Sequence, residues 1–200
     1  MDNRNDVYRT QKIFRLLLQS MAYVGRNVRI PEEMVSSYPN SRISPAMMEI
    51  LKTLLDGGMG FFCGTGDEKT VREIQIQTSA HRAEAAAADF LVIPADVPED
   101  AAQWVEQAKT GTIYDPQRSA TVLIECRSVR KGTAYRCTGP GIAGAADIAV
   151  CCSWGWEEIR RKKNRGFPLG IDCIFVDQEG NILSLPRTTK VEAKAEKEAF

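Results

Sequence analysis

Apolar residues recur along this chain with two kinds of spacing, which predict helices and strands in alternation. A three-to-four-residue repeat predicts helices over residues 6–23, from residue 44 to the Gly57-Gly58 pair, and over 154–165. Short apolar runs, among them GMGFFC, ADFLVIPAD, ATVLIEC and ADIAVCC, predict buried strands. Strands interspersed with helices are typical of an α/β fold. The hairpins described below make the expected β-sheet mixed rather than purely parallel.

The first two predicted helices carry different signals. In the helix over 6–23, the repeat selects an apolar face made of Val7, Phe14, Leu17, Leu18 and Met21. The second helix begins at Ser44, a residue type that caps helix N-termini, and has Pro45 in its first helical position. Its start is therefore predicted to the residue.

Two pairs of apolar runs in the second half of the chain are predicted to form β-hairpins. ATVLIEC (120–126) and TAYRCTG (133–139) are joined by RSVRKG. The second pair lies in RGFPLGIDCIFVDQEGNILSLPRTTKVE, residues 165–192, with DQEGN as its turn. A three-residue loop over 178–180 places Asp172 opposite Pro186, whereas a four-residue loop places it opposite Arg187. Because a buried carboxylate is costly unless it is paired, we expect Asp172 to interact with Arg187 in either register.

Composition and charge narrow the classes of protein. The chain has 200 residues, 44% of them hydrophobic, and we interpret residues 1–200 as one domain with a solvated C-terminal tail at about 191–200. Lys+Arg and Asp+Glu both number 26, so neither a nucleic-acid partner nor a membrane surface is expected. No apolar run approaches the ~18 residues of a membrane span, and the N-terminus does not resemble a signal peptide. These features predict a soluble, cytoplasmic protein.

The cysteines and the single histidine do not form a recognisable chemical motif. Without a CxxC pair, and with several thiols in strand-like runs, the cysteines are interpreted as reduced and buried. His81 lacks accompanying ligands at zinc spacing and is interpreted as a structural or surface residue. No metal and no cofactor are expected. The six cysteines are Cys63, Cys126, Cys137, Cys151, Cys152 and Cys173.

Two glycine-rich segments are similar to nucleotide-binding turns. GPGIAG, residues 139–144, matches GxGxxG, but the segment after it predicts a strand where the dinucleotide motif requires a helix. We interpret it as a turn whose backbone passes close to another element. Gly64-Thr65-Gly66 follows a predicted strand but lacks the Lys-Ser/Thr ending of a P-loop, so an ordinary turn between strand and helix is expected.

The polar cluster Arg187-Thr188-Thr189 after the last hairpin has two interpretations. In the first, Asp172 and Arg187 form a paired internal strut. In the second, the guanidinium and the hydroxyl groups of Thr188 and Thr189 bind a phosphate or carboxylate.

Several segments together resemble a known family. FPLGID (167–172), followed after the hairpin by LPRTT (185–189), is similar to the H subunit, PhnH, of the bacterial carbon–phosphorus lyase system. The resemblance extends through TGT (110–112), SATVLI (119–124) and TGPGI (138–142), and near the start through FRLL (14–17) with Met21 and Gly25. Two positions depart from the family: Val24 stands where proline is frequent, and Lys190 where histidine is common.

The resemblance implies both a fold and a role. The fold would be a shortened, dimeric relative of the pyridoxal-phosphate-dependent transferases, with a mixed sheet between helical layers and without the cofactor site. The chain would associate with the G, I and J subunits in a core complex. Together with the G, I and L subunits it would be needed to displace adenine from ATP by a phosphonate, giving a ribose 1-phosphonate 5-triphosphate. No catalytic residues for the H subunit come with the resemblance.

Two functional hypotheses follow. The first is a structural, non-catalytic subunit whose interface includes Trp154 or Trp156, unless these residues belong to the core. The second is a phosphorylated-ligand-binding or transferase domain with its site at Arg187, Thr188, Thr189 and the turn containing Gly139 and Gly141.

Overall fold

The computed structural model describes residues 3–96 and 98–194 of the chain. Its helices are α1 (Asn3–Ala22), α2 (Pro45–Leu54), α3 (Glu68–Thr78), α4 (Pro98–Gln107) and α5 (Trp156–Lys163), with short 3-10 helices at Glu32–Met34 and Pro116–Arg118. Its strands are β1 (Val28–Arg29), β2 (Gly60–Cys63), β3 (His81–Arg82), β4 (Phe90–Ile93), β5 (Thr121–Cys126), β6 (Ser128–Thr138), β7 (Ala146–Cys151), β8 (Asp172–Asp177), β9 (Asn181–Leu185) and β10 (Lys190–Ala193).

Within the described residues the strands form two sheets. The larger has seven strands in the order β1-β9-β8-β5-β4-β2-β3, and the smaller has three in the order β10-β6-β7. In the larger sheet β8, β5, β4, β2 and β3 run parallel to one another, while β9 is antiparallel to both β8 and β1. The predicted α/β class with a mixed sheet is confirmed.

The large sheet has a hydrophobic core on each face. Because side chains alternate along a strand, Val92 and Leu123 face one core, where they pack with residues of α1, α2 and α3. Leu91 and Val122 face the other core, which contains residues of α4, α5 and the small sheet. The second covering layer is therefore built from helices and a sheet together.

The hairpin formed by β8 and β9 has the three-residue loop. Cys173 pairs with Leu185 and Val176 with Ile182, so the same register places Asp172 opposite Pro186. Gly180, the last residue of the loop, has a φ of 77°, a left-handed conformation that glycine adopts without steric cost.

The hairpin predicted for 120–126 and 133–139 is wrong. β5 lies in the middle of the large sheet, parallel to β4 and β8, whereas β6 pairs with β7 and β10 in the small sheet. The continuous apolar run of β5 is typical of a parallel strand buried on both faces. The central position of β5 in the large sheet fits this apolar run, whereas the closeness of β5 to β6 in sequence does not indicate it.

The predicted apolar face of α1 is also largely wrong. Leu17 is buried, but Val7, Phe14 and Leu18 are 66%, 45% and 52% exposed. The side that packs on the sheet carries Ile13, which is fully buried. Apolar residues occupy two adjacent sides of this helix, so their spacing alone cannot select the side that meets the sheet.

The C-terminal segment differs from the predicted tail. Residues 190–193 form β10, which pairs antiparallel with β6 from Thr138 to Tyr135. The predicted solvated tail therefore does not begin at 191, and residues 195–200 lie outside the described residues. In the described part of the chain no helix combines the length and the apolar character needed to cross a membrane.

The start of α2 is where the sequence predicts it. Ser44 has extended backbone angles, its Oγ accepts a hydrogen bond from the Met47 backbone N at 3.2 Å, and Pro45 is the first helical residue. We expect Ser44→Ala to lower the free energy of unfolding by about 1 kcal/mol, because one N-terminal amide of the helix loses its acceptor. Denaturant titration measures this loss. The matched change at the exposed Ser37 should leave the midpoint unchanged, and equal effects of the two changes would contradict the cap.

Candidate functional site

Asp172 and Arg187, the two unusual residues of the last hairpin, lie in direct contact. Asp172 is the first residue of β8, and Arg187 follows the end of β9 by two positions. Arg187 Nη2 lies 2.6 Å from Asp172 Oδ2, and Arg187 Nε donates to Oδ1 at 3.4 Å. The Arg187 backbone N donates to the same Oδ1 at 2.7 Å. Both side chains are 18% exposed, so this ion pair is largely removed from solvent.

The same arginine also contacts a distant loop. Arg187 Nη1 donates to the Pro116 carbonyl oxygen at 2.8 Å, and the Gly170 backbone N donates to the Thr110 carbonyl oxygen at 3.0 Å. These bonds join the hairpin to residues 110–118, which we call the 110–118 loop. The ionic partner and the carbonyl partner leave the Arg187 guanidinium few donors for a ligand.

Arg160, on α5, holds the chain between β9 and β10. It is 3% exposed, and its Nη1 donates to the Thr189 carbonyl oxygen at 2.9 Å. Its Nη2 donates to the carbonyl oxygens of Pro186 at 2.5 Å and Leu185 at 3.5 Å. From the sequence, Arg160 was not singled out within the helix predicted over 154–165. Its spacing of four from the buried Trp156 was the signal that places it on the buried side of the helix.

The loop between α5 and β8 is fixed by Asn164. Its Nδ2 donates to the Ile171 carbonyl oxygen at 3.1 Å, and its Oδ1 accepts from the Ile171 backbone N at 2.8 Å. A Cβ on Gly170 would lie 2.5 Å from Asn164 Oδ1, and Gly170 has a φ of 144°. Only glycine fits at this position.

The GxGxxG segment forms the loop of the hairpin between β6 and β7. A Cβ on Gly139 would lie 2.9 Å from the Thr188 carbonyl oxygen, and one on Gly141 would lie 3.3 Å from that of Ala22. The interpretation as a turn passing close to another element is confirmed. The structure thereby brings Gly139 beside Thr188 and Thr189, but strands flank the loop on both sides, so it lacks the helix that a dinucleotide site requires.

A cavity of about 530 Å³ lies between α5, the 164–169 segment and the 187–192 segment. Phe167, Leu169 and Val191 form apolar parts of its wall, and Glu157 and Glu192 contribute carboxylates. Its cationic lining residues are Arg160, Arg161, Arg165, Arg187 and Lys190. Cations therefore outnumber anions around a partly apolar opening.

The lining of the cavity is suited to attract an anion. Thr189 Oγ1 and Arg160 Nε are buried and have no hydrogen-bond partner within the described residues. Among those same residues, neither a histidine nor a cysteine lines the cavity, so a nucleophile–base pair of the common kinds is not formed there. Arg160 and Arg187 already donate to internal partners, which leaves Arg161, Arg165 and Lys190 to face solvent.

A second crevice, of about 390 Å³, lies at the carboxyl ends of β5 and β8, where α/β sheets commonly bind ligands. Its carboxylates serve as internal acceptors. Glu125 is 8% exposed and accepts from the Ser44 backbone N at 2.6 Å, and burial raises the pKa of its carboxyl group. Asp177 accepts from the backbone N of Asn181 at 2.9 Å and of Val129 at 3.3 Å. These groups join loops to the sheet.

The remaining candidate residues lie apart from the cavity. His81 is exposed on β3, which agrees with its interpretation as a surface residue. The Gly64 turn leads into α3, whose N-terminus is capped by Asp67. A Cβ on Gly64 would lie 2.4 Å from the Trp104 ring. An anionic cap and an indole occupy the space that a phosphate would need, so this is an ordinary turn.

The six cysteines are free thiols, as predicted. Cys63, Cys126, Cys137 and Cys173 are buried, whereas Cys151 and Cys152 are half-buried. Burial raises the pKa of Cys63 to about 12 and the pKa of Cys137 and Cys173 to about 11. These thiols therefore stay protonated at neutral pH.

The amino-acid sequence matches the model of the family described as "Bacterial phosphonate metabolism protein (PhnH)" over residues 2–192. The chain belongs to this family. A putative C-P lyase subunit protein, HtxG, from Stutzerimonas stutzeri is 28% identical over 193 residues, which cover 93% of this chain and 87% of that protein. Alpha-D-ribose 1-methylphosphonate 5-triphosphate synthase subunit PhnH from Rhizobium meliloti (strain 1021) is 35% identical over 91 residues, 44% of each chain.

Four of the six segments that carry the resemblance to the PhnH family meet at one place. TGT (110–112) contacts FPLGID (167–172) through the bond between Thr110 and Gly170. FPLGID contacts LPRTT (185–189) through Asp172 and Arg187. TGPGI (138–142) contacts LPRTT where Gly139 meets Thr188. The resemblance thus follows a three-dimensional junction, and we propose that Asp172 and Arg187 act as its strut.

We expect a double-mutant cycle to show strong coupling between Asp172 and Arg187. Asp172→Asn, Arg187→Met and the double variant should give a coupling energy of about 1.5–3 kcal/mol, since each single change leaves the largely buried charge of the other residue without its counter-charge. Denaturant titration of the four proteins measures it. The exposed pair Glu158 and Arg161 serves as a control, because solvent screens surface ion pairs. Equal coupling in the two cycles would contradict the strut.

We also predict that four of the six thiols resist modification in the folded protein. With a thiol reagent at pH 8, Cys151 and Cys152 should react first, and the four buried thiols only after unfolding. Raising the pH to 9 should not make Cys137 or Cys173 reactive, because their folded-state pKa of about 11 keeps these thiols protonated at pH 9. Mass spectrometry of labelled peptides assigns the sites. Rapid labelling of Cys137 or Cys173 under native conditions would contradict their burial.

Proposed function

We propose that this protein is a subunit of the carbon–phosphorus lyase complex. It is needed, with the G, I and L subunits, to make ribose 1-phosphonate 5-triphosphate from ATP and a phosphonate, and it acts as a structural, non-catalytic component. The observation that carries the proposal is the family match over residues 2–192. The names of two relatives support it, since one is a putative C-P lyase subunit and the other a subunit of ribose 1-methylphosphonate 5-triphosphate synthase.

The geometry supports the non-catalytic part of the proposal. The buried and largely buried charged groups near the family segments are used internally: Asp172 binds Arg187, and Arg160 donates to backbone carbonyls. A catalytic group must be free to contact the substrate. Groups that are already committed to internal partners fit a scaffold.

The same proposal has three further parts. The protein associates with the G, I and J subunits, it forms a homodimer when isolated, and its fold is similar to that of shortened pyridoxal-phosphate-dependent transferases. The mixed sheet with a covering layer on each face is compatible with that likeness. We further propose that the protein works in the cytoplasm, where ATP is abundant. Six free cysteines suit a reducing compartment.

The alternative, a phosphorylated-ligand or transferase site at Arg187, Thr188, Thr189, Gly139 and Gly141, is the weaker proposal. The cavity beside these residues and its cationic rim favour it. The occupied donors of Arg187 and the close contact between Gly139 and Thr188 oppose it.

Three measurements test the proposal. Co-expression with tagged G, I and J subunits is expected to retain this chain through affinity purification and gel filtration. In a bacterium that lacks its own H subunit, the chain should restore growth on methylphosphonate as sole phosphorus source. Isothermal titration with ATP and with methylphosphonate should show no tight binding to the isolated protein.

The outcomes separate the two proposals. Growth on inorganic phosphate is the control, since every strain should grow equally there. Failure to co-purify together with failure to restore growth would contradict the subunit proposal. Tight binding of ATP or methylphosphonate that depends on Arg187 would instead favour the ligand site.

A further inference from the structure

Three large apolar side chains are strongly exposed beside the family segments. Ile113, Tyr114 and Phe167 are 74%, 94% and 78% exposed, the highest values among large apolar residues in the described chain. Ile113 and Tyr114 lie on the 110–118 loop, and Phe167 lies on the segment before β8. The bond from Gly170 to Thr110 and the contact of Arg187 with Pro116 hold these two loops together. Large apolar residues brought together at a surface mark sites of protein interaction.

The exposed apolar group adjoins the cationic cavity. Phe167 itself lines the cavity, together with the exposed Arg165 and Lys190. The chain as a whole has a formal net charge of +0, so this surface is more basic than the average. Aromatic residues and arginine are the residue types most enriched where binding energy concentrates in protein interfaces.

We propose that Ile113, Tyr114, Phe167, Arg165 and Lys190 form one docking surface, the loop–cavity surface, for an acidic segment of another subunit. An apolar side chain of that segment enters the cavity beside Phe167, and its carboxylates face Arg165 and Lys190. This inference rests on the proposed function, because it requires that the chain belong to a complex. It adds which face is used and what chemistry the partner presents.

The positive charge of the loop–cavity surface favours an acidic segment of another chain over a second copy of this chain. A second copy of this chain, docked through the same surface around a twofold axis, would bring together two cavity linings in which five cations outnumber two carboxylates. Like charges held opposite each other in a contact oppose association. An acidic segment from a different chain has no such repulsion.

The ion pair of Asp172 and Arg187 gives the loop–cavity surface its rigidity. Arg187 contacts both Asp172 and the 110–118 loop, so the two loops are held in place before a partner arrives. A surface ordered in advance loses less conformational entropy on binding. Such ordering is a role for the largely buried ion pair that lies next to these loops.

The test compares surface variants in the assembled complex. Phe167→Ser and Arg165→Glu are each expected to weaken retention by the tagged partner subunits about tenfold or more, while melting temperatures stay near that of the wild type. The matched control is Ile76→Ser and Arg72→Glu on α3, which covers the opposite face of the sheet; Ile76 is 65% exposed and Arg72 is exposed. Hydrogen exchange on the wild-type protein should show added protection of residues 110–118 and 165–170 when the partners are present.

Each outcome has a distinct meaning. If the wild-type chain does not co-purify at all, the proposed function fails. If it co-purifies and both loop–cavity variants bind as well as the control variants, without added protection of these loops, the docking surface is wrong while the proposed function stands. If the variants lose binding of ATP or methylphosphonate but keep the partners, the cavity binds a small anion and the docking surface is again wrong.

Discussion

We propose that the ion pair between Asp172 and Arg187 is the contact on which the arrangement of the chain from β8 to β10 depends. Its carboxylate accepts from both the backbone and the side chain of Arg187, so the chain must turn where β9 ends. Arg160 then holds the carbonyl oxygens of that turn, and the chain leaves it in line to form β10. Because β10 pairs with β6, the small sheet is attached to the large one through this turn. A charge pair that is 18% exposed on each side is tolerated because the carboxylate and guanidinium find several partners at once.

The same arrangement uses several residues of the family segments for internal contacts. Their charged and glycine residues are required for close contacts: Gly170 for Asn164, Gly139 for Thr188, and Arg187 for the 110–118 loop. What the junction presents to solvent is apolar and cationic, namely Phe167, Tyr114 and Arg165. Such a surface is suited to contact with another protein.

Parts of this junction were predictable from sequence and parts were not. The possible loop lengths of the last hairpin placed Asp172 opposite either Pro186 or Arg187, because the register of a two-strand hairpin follows from its loop length. The burial of Arg160 was not predicted, because a run of cations on a helix is typical of a solvated face. Only the spacing of four residues between Arg160 and the buried Trp156 indicates otherwise. Trp156 itself lies in the core against Tyr135 and Phe175 and is not an interface residue. The contact of Gly139 with Thr188 joins residues 49 positions apart, which no local pattern encodes.

By itself the sequence determined the elements whose signals are local. The cap at Ser44, a hairpin turn within DQEGN, the buried strands and the α/β class all follow from neighbours a few residues away. Tertiary structure alone decided the partners of β5, the side of α1 that is buried and the existence of β10. The physical reason is that a strand's backbone groups can be satisfied by any other strand, and a helix with two apolar sides can bury either. Only competition among all the elements for the same core selects one arrangement.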